Sequence, residues 1–592
     1  MQSMYSNYKT TVAAPSVMQT QVVPFSVQAG TCGTGSYSNM VAIYIDYNQN
    51  GSFADAGEQV YISPTYTTGA HTESGNITIP LTALAGNTVM RVMNIETTVA
   101  STFTPCASYG YGETEDYLIN IVQVQPCSGA PTAGTATASV SNICAGSNFT
   151  LSLTGYTLAT GINIQWQSSA NGVTYTDIAG ATSVTYTGSQ VATSYYRAAV
   201  SCNTGTPVYS NAVQITSPGL FPAGTYAIDS SQPTDPTSTF QSFTAAVNAI
   251  SCGIAGEVTF EVMPGTYVEQ ITIPQIFGAS ATSRVIFHGN GETISFASSN
   301  TNARHVIKLD GADYITIDSL NIVASAGTYG WGIHLTNEAN YNRILRNTIN
   351  VGNSTTSTNY SALVASGSPS GATTSGNSAN YTLIQDNTII GGYYAFTLMG
   401  EGTGNPAVGN QVIGNNIRDA YYYHTYFYYQ DGLVVRGNDI SRPNHTSPQT
   451  FYGLYMVYNS NAEVDGNIIH DAFGTNLTST GSAYGIYLSS SNVASSQQNR
   501  FINNKIYNIK NNGTIYGMYN SASGGTVYYH NTVSLDHTAA TAGTVYGFYQ
   551  SGAPIDPVEF KNNIISITRG GTGTKYSIYL SSSAITPALF QS

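Results

Sequence analysis

The chain of 592 residues is poor in charge, and most of its few charged residues are acidic. Charged side chains make up 8% of the chain, and 17 Lys and Arg residues against 30 Asp and Glu residues give a net charge of −13. Nucleic acids and anionic membranes both need a basic surface, so we exclude them as partners. No apolar run approaches the roughly 18 residues of a membrane helix, so we expect no membrane insertion.

Residues that favour helices are also scarce, because Thr, Ser, Tyr, Val, Ile and Asn take the place of Lys, Glu and Arg. The chain has 59 Gly and 45 Tyr residues, and this composition favours strands and turns. Hydrophobic residues make up 41% of the chain, which is enough for a core. The stretch MQSMYSNYKTTVAAPSV has neither a basic start nor an apolar centre, so we predict no signal peptide in it. The composition predicts an all-β protein of several domains.

Three regions follow one another along the chain, and we place them at residues 1–124, 125–218 and 219–592. The first alternates in the manner of strands at VAIYIDY, NTVMRVM and DYLINIV. The second has roughly seven short strands, a tight turn at Asn171-Gly172 and Trp166 in its third strand, which together predict an immunoglobulin-like sandwich. The third begins with a short predicted helix in FQSFTAAVNAIS, whose apolar residues fall on one helical face.

A repeat dominates the third region. The pattern Asn-x-Ile/Val recurs at a mean interval of about 31 residues. Its asparagines are Asn347, Asn387, Asn415, Asn438, Asn467, Asn504, Asn531 and Asn563. A second pattern, Tyr-Gly-apolar-Tyr, runs out of phase with the first and occurs as YGLYM, YGIYL, YGMYN and YGFYQ, and as YSIYL with Ser for Gly. Two short strand patterns per period predict a solenoid, in which the asparagines stack inward and hydrogen-bond to one another.

The stretch IDYNQNGSFADAGE, residues 45–58, resembles a metal-binding loop. It follows a strand and has Gly57 where an EF-hand has its twelfth-position Glu, so it is not an EF-hand. Two interpretations stay open: an Asx-rich turn that caps its own backbone, and a Ca²⁺ site that stiffens the domain without doing chemistry. The predicted ligands are Asp46, Asn48, Asn50, the Ser52 carbonyl and Asp55, with Glu58 assisting.

Motifs in all three regions resemble known families. The first region resembles the GEVED-type domain of secreted bacterial proteins, through the loop just quoted and GETEDY, residues 112–117, where Thr114 stands in place of Val. The second resembles the Ig-like modules of large surface proteins, through WQSSANGVTYTDIAGAT and SYYRAAVSC. The third is similar to right-handed parallel β-helices of the pectin-lyase-like class, through GEVTFEVMPGTYVEQITI and the asparagine repeat.

Chains with these three domains in series are typical of Gram-negative bacteria that use a type IX export route. The resemblance therefore implies an extracellular or cell-surface protein, and we expect this chain to be part of a larger chain or assembly. Widely spaced cysteines without a CxxC pair agree with this, because they argue against a zinc ribbon and for disulfides. Cys32 and Cys106 are the only cysteines of the first region, so we expect them to pair.

The pairing of the other four cysteines is open at the level of sequence. Strand direction in a sandwich places Cys127 near Cys202, whereas the position of Trp166 between Cys144 and Cys202 favours that second pair. We prefer Cys127–Cys202, which leaves Cys144 without a partner. Cys252, beside the predicted helix, is expected to be a buried free thiol.

The stretch YYYHTYFYYQDG, residues 421–432, is the most aromatic part of the chain. Strand alternation turns about half of its rings outward, where they suit sugar stacking or protein contact. The alternative is that the rings fill one coil and cover its neighbours. The candidate ligand-binding residues are Tyr423, His424, Tyr426 and Tyr428, with His424 as one more member of the surface.

Candidate catalytic acids do not form a pattern. Glycosidases need two carboxylates about 5 to 10 Å apart, and Asp386, Asp439 and Asp465 lie at different offsets from the repeated asparagines. We therefore predict no catalytic residue. We expect a structural or adhesion protein that presents its β-helix and binds a polysaccharide or a surface protein. The alternative is a polysaccharide lyase or glycoside hydrolase that acts in the β-helix groove.

Overall fold

A computed structural model of the protein describes residues 4–30, 35–144 and 146–592. The chain divides into two compact units, Met1–Ser217 and Pro218–Ser592. Almost every ordered element is a strand, as the composition predicts. Within the described residues the helical elements are the α-helix Phe243–Ile250 and two 3₁₀ turns, Ala100–Thr102 and Ser495–Gln497.

The first unit begins with a β-sandwich. Its larger sheet consists, in spatial order, of Tyr5–Asn7, Gly112–Val122, Gly86–Glu96, Ser38–Ile45 and Gln59–Ile62, with Ser16–Met18 and Thr67–Thr68 at the edges. Val22–Ala29 and His71–Thr78 form a second, two-stranded sheet. The strand Ser38–Ile45 is buried on both faces, because Val41 and Ile43 belong to one apolar cluster and Met40 and Tyr44 to another.

A second sandwich completes the first unit, and its topology confirms the immunoglobulin-like prediction. One sheet consists of Thr135–Ala138, Asn148–Thr154 and Thr185–Ser189. The other consists of Thr176–Asp177, Ile162–Ser169, Ser194–Cys202 and Val208–Tyr209, with Val213–Ile215 also paired to Ser194–Cys202. Trp166 is fully buried in the core, and its indole N–H donates to the Ser183 carbonyl oxygen at 3.0 Å.

The cysteines of the second sandwich are oxidised. Cys127 and Cys202 form a disulfide with a Cα–Cα distance of 5.5 Å, which confirms the preferred pairing. Cys144 and Cys252 are disulfide-bonded as well, so the expectations of an unpartnered Cys144 and of a free thiol at Cys252 are wrong. Cys106 is an exposed free thiol, so the expected pairing of Cys32 with Cys106 is wrong; Cys32 itself lies outside the described residues.

The second unit is a parallel β-helix with three sheets, one of 14 strands and two of 11. The first sheet consists of Thr239–Phe240, Gly224–Ile228, Val258–Val262, Val285–His288, Ile315–Asp318, Arg343–Leu345, Leu383–Gln385, Gln411–Ile413, Val434–Arg436, Glu463–Asp465, Asn499–Ile502, Thr526–Tyr529, Val558–Lys561 and Phe590–Gln591. The second sheet consists of Thr266–Val268, Thr293–Ser295, Asn321–Val323, Thr348–Asn350, Thr388–Ile390, Asn416–Arg418, Asp439–Ser441, Ile468–His470, Lys505–Tyr507, Thr532–Leu535 and Ile564–Ile567. The third sheet consists of Ile271–Pro274, His305–Asp310, Gly330–Thr336, Tyr360–Ala365, Tyr394–Met399, Tyr423–Tyr428, Phe451–Val457, Ala483–Ser489, Ile515–Ser521, Val545–Ser551 and Lys575–Leu580. Ala407–Val408 and Gln430–Asp431 form an extra two-stranded sheet.

The helix Phe243–Ile250 packs on the first coils of the β-helix. It begins one turn later than its apolar pattern predicts, because Phe240 belongs to the strand Thr239–Phe240. Ser242 caps it, and its hydroxyl accepts from the Ala245 N–H at 3.0 Å. Phe243, Val247 and Ile250 lie on its buried face, as predicted.

The predicted asparagine ladder lies between the first and second sheets. From Asn387 onward, each side-chain oxygen accepts from both the backbone N–H and the side-chain amide of the asparagine one coil earlier. The side-chain oxygen of Asn347, the first of the series, accepts from the Leu320 N–H at 3.0 Å. Asn438, for example, donates from its backbone N to Asn467 Oδ1 at 3.0 Å and from Nδ2 to the same oxygen at 2.8 Å. The Asn438 amide also donates to the Val412 carbonyl oxygen at 2.9 Å. The ladder therefore satisfies buried backbone groups at every coil.

Candidate functional site

The third sheet carries two columns of tyrosines on its outer surface, which we call the tyrosine face. The first column consists of Tyr394, Tyr423, Tyr452, Tyr484, Tyr516, Tyr546 and Tyr576. The second column consists of Tyr426, Tyr455, Tyr487, Tyr519, Tyr549 and Tyr579. All of them are half-buried. The face is thus continuous over seven coils.

Two consecutive inward residues between the tyrosines explain why both tyrosines of a coil point outward although they are three residues apart. In a regular strand, residues three apart lie on opposite faces of the sheet. Gly485 and the next residue, Ile486, both face the core instead. A Cβ at Gly485 would meet the Gly517 carbonyl oxygen at 2.5 Å and the Ile506 side chain at 3.0 Å. At Gly485 a side chain would therefore require the neighbouring coil to shift, and the local irregularity brings the second tyrosine back to the outer surface.

His424 is not part of this surface, so its prediction as a member of the outward aromatic set is wrong. Residues 423–427, YHTYF, have the same register as residues 452–456, YGLYM, and His424 takes the inward glycine position. Its side chain is fully buried, with its ring centroid 4.6 Å from that of Phe451. Burial holds the pKa of His424 well below its usual value, so the imidazole is neutral. Aligning the two motifs would have shown this from the sequence.

Tyr423, Tyr426 and Tyr428 do lie on the outer surface, as predicted. Tyr428 and Tyr429 extend the tyrosine face sideways at this coil. The Tyr428 hydroxyl donates a hydrogen bond to the Tyr429 hydroxyl at 3.3 Å. Tyr429 in turn stacks on Tyr458, with ring centroids 5.0 Å apart. The tyrosine face is therefore widest in the part of the β-helix that contains YYYHTYFYY.

The rings of the first column stack on one another. Successive ring centroids are 4.6 to 5.3 Å apart, and the ring planes differ by 2° to 16°. In the second column the centroids are 4.4 to 5.3 Å apart, with angles from 9° to 60°. Neighbouring rings cover the ring faces of the first column, so that column presents ring edges and hydroxyl groups to a ligand. Sugar stacking on its ring faces, one of the uses expected from the sequence, is blocked within the column.

The tyrosine face is polar but uncharged. Burial, with the neighbouring tyrosines adding to it, raises the pKa of Tyr484 to about 12, so the hydroxyl stays protonated at neutral pH. Within the part of the chain that the structure describes, the hydroxyls of Tyr455, Tyr516 and Tyr546 make no hydrogen bond. The third-sheet strands from Tyr394 to Leu580 contain one charged residue, Lys575. The face thus offers rows of neutral hydroxyl donors and acceptors.

The structure does not bring the candidate catalytic acids together. Asp465 lies on the first sheet, where it is 3.7 Å from Arg436. Asp439 lies on the second sheet and is 3.1 Å from His470 Nε2. Asp386 is exposed in the turn between these two sheets. None of the three is on the tyrosine face.

The loop of residues 45–58 is held by its own hydrogen bonds. The Asp46 carboxylate accepts from the backbone N–H groups of Asn50 at 3.1 Å and Gly51 at 2.9 Å. The side-chain amides of Asn48 and Asn50 donate to Asp55 Oδ2 at 3.1 and 2.8 Å. The Asn50 side-chain oxygen accepts from the backbone N–H of Ser52 at 2.8 Å. These contacts are those of the Asx-rich turn.

The carboxylate of Glu58 is only partly hydrogen-bonded within the described residues. It is 2% exposed, and its Oε1 accepts from the backbone N–H groups of Tyr47 and Asn48 at 2.9 and 3.3 Å. Its Oε2 has no hydrogen-bond partner among the described residues. Burial raises the pKa of Glu58. No group of three His, Cys, Asp or Glu side chains in the described ranges is arranged to hold a metal ion, so the calcium site stays a prediction.

The acidic GETEDY stretch has a packing role. Asp116 is 2% exposed and accepts from Arg91 through both carboxylate oxygens, at 2.7 Å from Nε and 2.8 Å from Nη2. Tyr5 donates its hydroxyl to the same carboxylate at 2.9 Å. This bidentate pair ties the strand Gly112–Val122 to its neighbours.

Comparisons with protein families agree with this architecture. Residues 40–120 match the GEVED domain, and residues 364–533 match the right handed beta helix region. Residues 132–218, which form the second sandwich, match a domain of unknown function (DUF8696). The chain is a multidomain β protein with a GEVED domain and a right-handed β-helix. No curated protein sequence matches it significantly.

Solved structures resemble the chain at the level of general fold. A family 28 exopolygalacturonase from Yersinia enterocolitica is 8% identical and aligns over 76% of this chain and 99% of its own, with a TM-score of 0.27. A pectin methylesterase from Aspergillus niger is 11% identical over 63% of this chain and 90% of its own, with a TM-score of 0.23. Murine CEACAM1b is 14% identical over 34% of this chain and 96% of its own, with a TM-score of 0.12. Similarities this low carry no argument about function.

Proposed function

We propose that this protein is a non-enzymatic extracellular β-helix protein that binds a carbohydrate on its tyrosine face. The observation that carries the proposal is the uncharged surface of two tyrosine columns, the first over seven coils and the second over six. Tyrosine suits such a surface, because its ring buries apolar area while its hydroxyl stays available for hydrogen bonds. Structural and adhesion roles follow from a rigid solenoid that presents this surface.

The extracellular location is supported by the oxidised cysteines. Cys127, Cys144, Cys202 and Cys252 are all disulfide-bonded, and disulfides persist in oxidising compartments. Among the described residues no helix is long and apolar enough to cross a membrane.

Binding without cleavage is supported by the chemistry of the tyrosine face. The third-sheet strands from Tyr394 to Leu580 contain no Asp or Glu. Hydrolysis of a glycosidic bond needs a pair of carboxylates roughly 5 to 10 Å apart. The candidate acids Asp386, Asp439 and Asp465 lie on other parts of the solenoid, so the hydrolase alternative lacks its carboxylate pair on this face.

The test is a binding and turnover assay with a panel of neutral and acidic polysaccharides. Binding is measured by pull-down and calorimetry, and turnover by reducing ends and by the absorbance of unsaturated products. The test variant replaces four tyrosines in the middle of the tyrosine face, Tyr484, Tyr487, Tyr516 and Tyr519, with Phe. This change removes hydroxyls and keeps the rings.

A matched control replaces a different tyrosine stack, Tyr314, Tyr341 and Tyr381, whose centroids are 4.9 and 5.1 Å apart, with Phe. We expect the fourfold variant to bind at least about tenfold more weakly, which corresponds to the loss of one to two hydrogen bonds. We expect the control to bind like the wild type, and neither to show turnover. Full binding by the fourfold variant, or cleavage of any glycan, contradicts the proposal.

We also propose that the loop of residues 45–58 binds a structural Ca²⁺. The supporting observation is the buried Glu58 Oε2, which lacks a partner among the described residues and belongs to the same loop as Asp46 and Asp55. Binding would require the amides of Asn48 and Asn50 to turn their oxygens to the ion, because Ca²⁺ takes oxygen ligands only.

Thermal unfolding of the full chain tests the calcium proposal. Excess Ca²⁺ should raise the melting temperature of the GEVED domain relative to a chelator, and Asp55→Asn should abolish that rise. Mg²⁺ at the same concentration serves as the control ion, because it demands a smaller octahedral site. An unchanged melting temperature after chelation would overturn the calcium proposal and leave the proposal on the tyrosine face standing.

A further inference from the structure

We infer that the carbohydrate on the tyrosine face is a neutral, linear, extended polysaccharide that lies parallel to the solenoid axis with one sugar unit on each coil. This inference rests on the proposed function and deepens it by naming the ligand class, its direction and its register. The observations that lead to it are the repeat of the tyrosine columns, the orientation of their rings and the distribution of charge.

The repeat of the tyrosine face favours a ligand with the same repeat. Stacked strands in a solenoid are about 4.8 Å apart, and the ring centroids of the first column are 4.6 to 5.3 Å apart over seven coils. One pyranose unit of an extended polysaccharide has a length close to this spacing. A linear chain along the axis can therefore make the same contact at every coil, whereas a branched glycan makes it at only a few.

The orientation of the rings decides the type of contact. Ring planes of Tyr452 and Tyr484 differ by 2°, so each ring covers the face of its neighbour. Edges and hydroxyls remain, and each tyrosine hydroxyl can donate one hydrogen bond and accept others. The hydroxyls and ring oxygens of a sugar chain are the complementary groups. We therefore expect recognition through a row of hydroxyl hydrogen bonds, with little stacking on aromatic faces.

The distribution of charge favours a neutral polysaccharide over an acidic one. The third-sheet strands of the tyrosine face contain a single cation, Lys575, at the last coil. An acidic polysaccharide would place one carboxylate on each coil without a positive partner, and partial burial of an unpaired charge is unfavourable. A neutral chain has no such cost.

The affinity should depend on chain length in a defined way. Each sugar unit adds one set of weak contacts to a chain that is already bound, so each added unit multiplies the association constant by a similar factor. One hydrogen bond per unit corresponds to an increase in affinity of about fivefold per unit. The increase should stop when the chain covers the first column, that is, at about seven units.

Calorimetry with the full chain and with oligosaccharides of roughly two to ten units tests this inference. The probes are three neutral β-linked series, of glucose, xylose and mannose, and one acidic series, of β-linked uronate, at matched lengths. We expect at least one neutral series to gain affinity with each unit up to about seven units and then to level off. We expect the uronate series to bind at least about tenfold more weakly at every length.

A variant at the last coil of the tyrosine face provides the control for register. Replacing Tyr576 and Tyr579 with Phe should shorten the plateau by about one unit, because it removes the hydroxyls of the last coil. Because Phe keeps both rings in their columns, we expect the variant to fold, and circular dichroism checks this.

The possible failures are distinguishable. Tighter binding of the uronate series, or an affinity that does not grow beyond two or three units, overturns this inference while the proposed carbohydrate-binding function stands, provided that the fourfold Phe variant still weakens binding. If no glycan binds and a protein is captured on the tyrosine face instead, both the inference and the proposed function are wrong.

Discussion

Replacing one asparagine of the ladder with alanine should destabilise the β-helix far more than replacing its neighbour in the sequence. Asn415 Oδ1 accepts from the backbone N and the Nδ2 of Asn387, both at 2.9 Å. Its Nδ2 donates to the Ile384 carbonyl oxygen at 2.9 Å and to Asn438 Oδ1 at 3.0 Å. Asn415→Ala removes all four hydrogen bonds, and at about 1 kcal/mol each this lowers the free energy of unfolding by about 4 kcal/mol.

The adjacent residue gives a matched control. Asn416 is exposed, and its side chain makes no hydrogen bond within the described residues. Asn416→Ala should therefore change the free energy of unfolding by less than about 0.5 kcal/mol. Both variants are chemically identical changes one residue apart, so they isolate the effect of the inward position.

Urea unfolding followed by circular dichroism measures the difference, and hydrogen exchange locates it. Solenoids can open locally, so the exchange of strands Leu383–Gln385, Gln411–Ile413 and Val434–Arg436 should quicken in Asn415→Ala and stay slow in Asn416→Ala. Equal destabilisation by the two variants, or a loss below about 1 kcal/mol for Asn415→Ala, would refute the structural role of the ladder.

Three further predictions concern stability. Gly485→Ala should lower the melting temperature, because its Cβ would meet a carbonyl oxygen of the next coil at 2.5 Å. We expect a loss of about 1 to 3 kcal/mol in the free energy of unfolding, and an unchanged melting temperature in a thermal scan contradicts this. Replacing Cys127 and Cys202, 75 residues apart, with Ala should cost about 4 kcal/mol of unfolding free energy in the chain-entropy model, and urea unfolding measures it. The hydrogen bond of His470 to Asp439 is the main reason why the pKa of His470 is raised. The wild type should therefore be more stable than His470→Gln below about pH 6.5, which is the pKa of histidine in the unfolded chain. That advantage should disappear as the pH rises through the raised pKa of the folded state. A difference in melting temperature between the two proteins that stays constant over this pH range would rule it out.

Regular spacing made much of the fold predictable from the sequence. The asparagine repeat fixes one residue per coil at an inward bend, so its position, burial and bonding pattern follow from spacing and from the chemistry of the amide. The two N-terminal β regions were predictable for a similar reason, because their strands alternate and their turns carry Gly and Asn. Trp166 in the third strand of the second sandwich also fixed the centre of that core.

The candidate site was harder to predict, because it depends on contacts between coils. Tyr484 and Tyr487 are three residues apart, and simple alternation places them on opposite faces; the inward Gly485 reverses that conclusion. His424 is buried for the same reason, since it takes a glycine position. The stacking of rings between coils, which leaves edges and hydroxyls outward, requires the register of neighbouring strands. Long-range pairing also decides the disulfide state of Cys252, which no local pattern reveals.

The most direct test of the central claim is the structure of the protein bound to the neutral oligosaccharide that binds it best. The tyrosine-face account predicts sugar density that runs parallel to the solenoid axis within hydrogen-bond distance of the hydroxyls of Tyr484, Tyr487, Tyr516 and Tyr519. Density that lies on another sheet, for example beside His470 on the second sheet, or on the first unit of the chain, would contradict it.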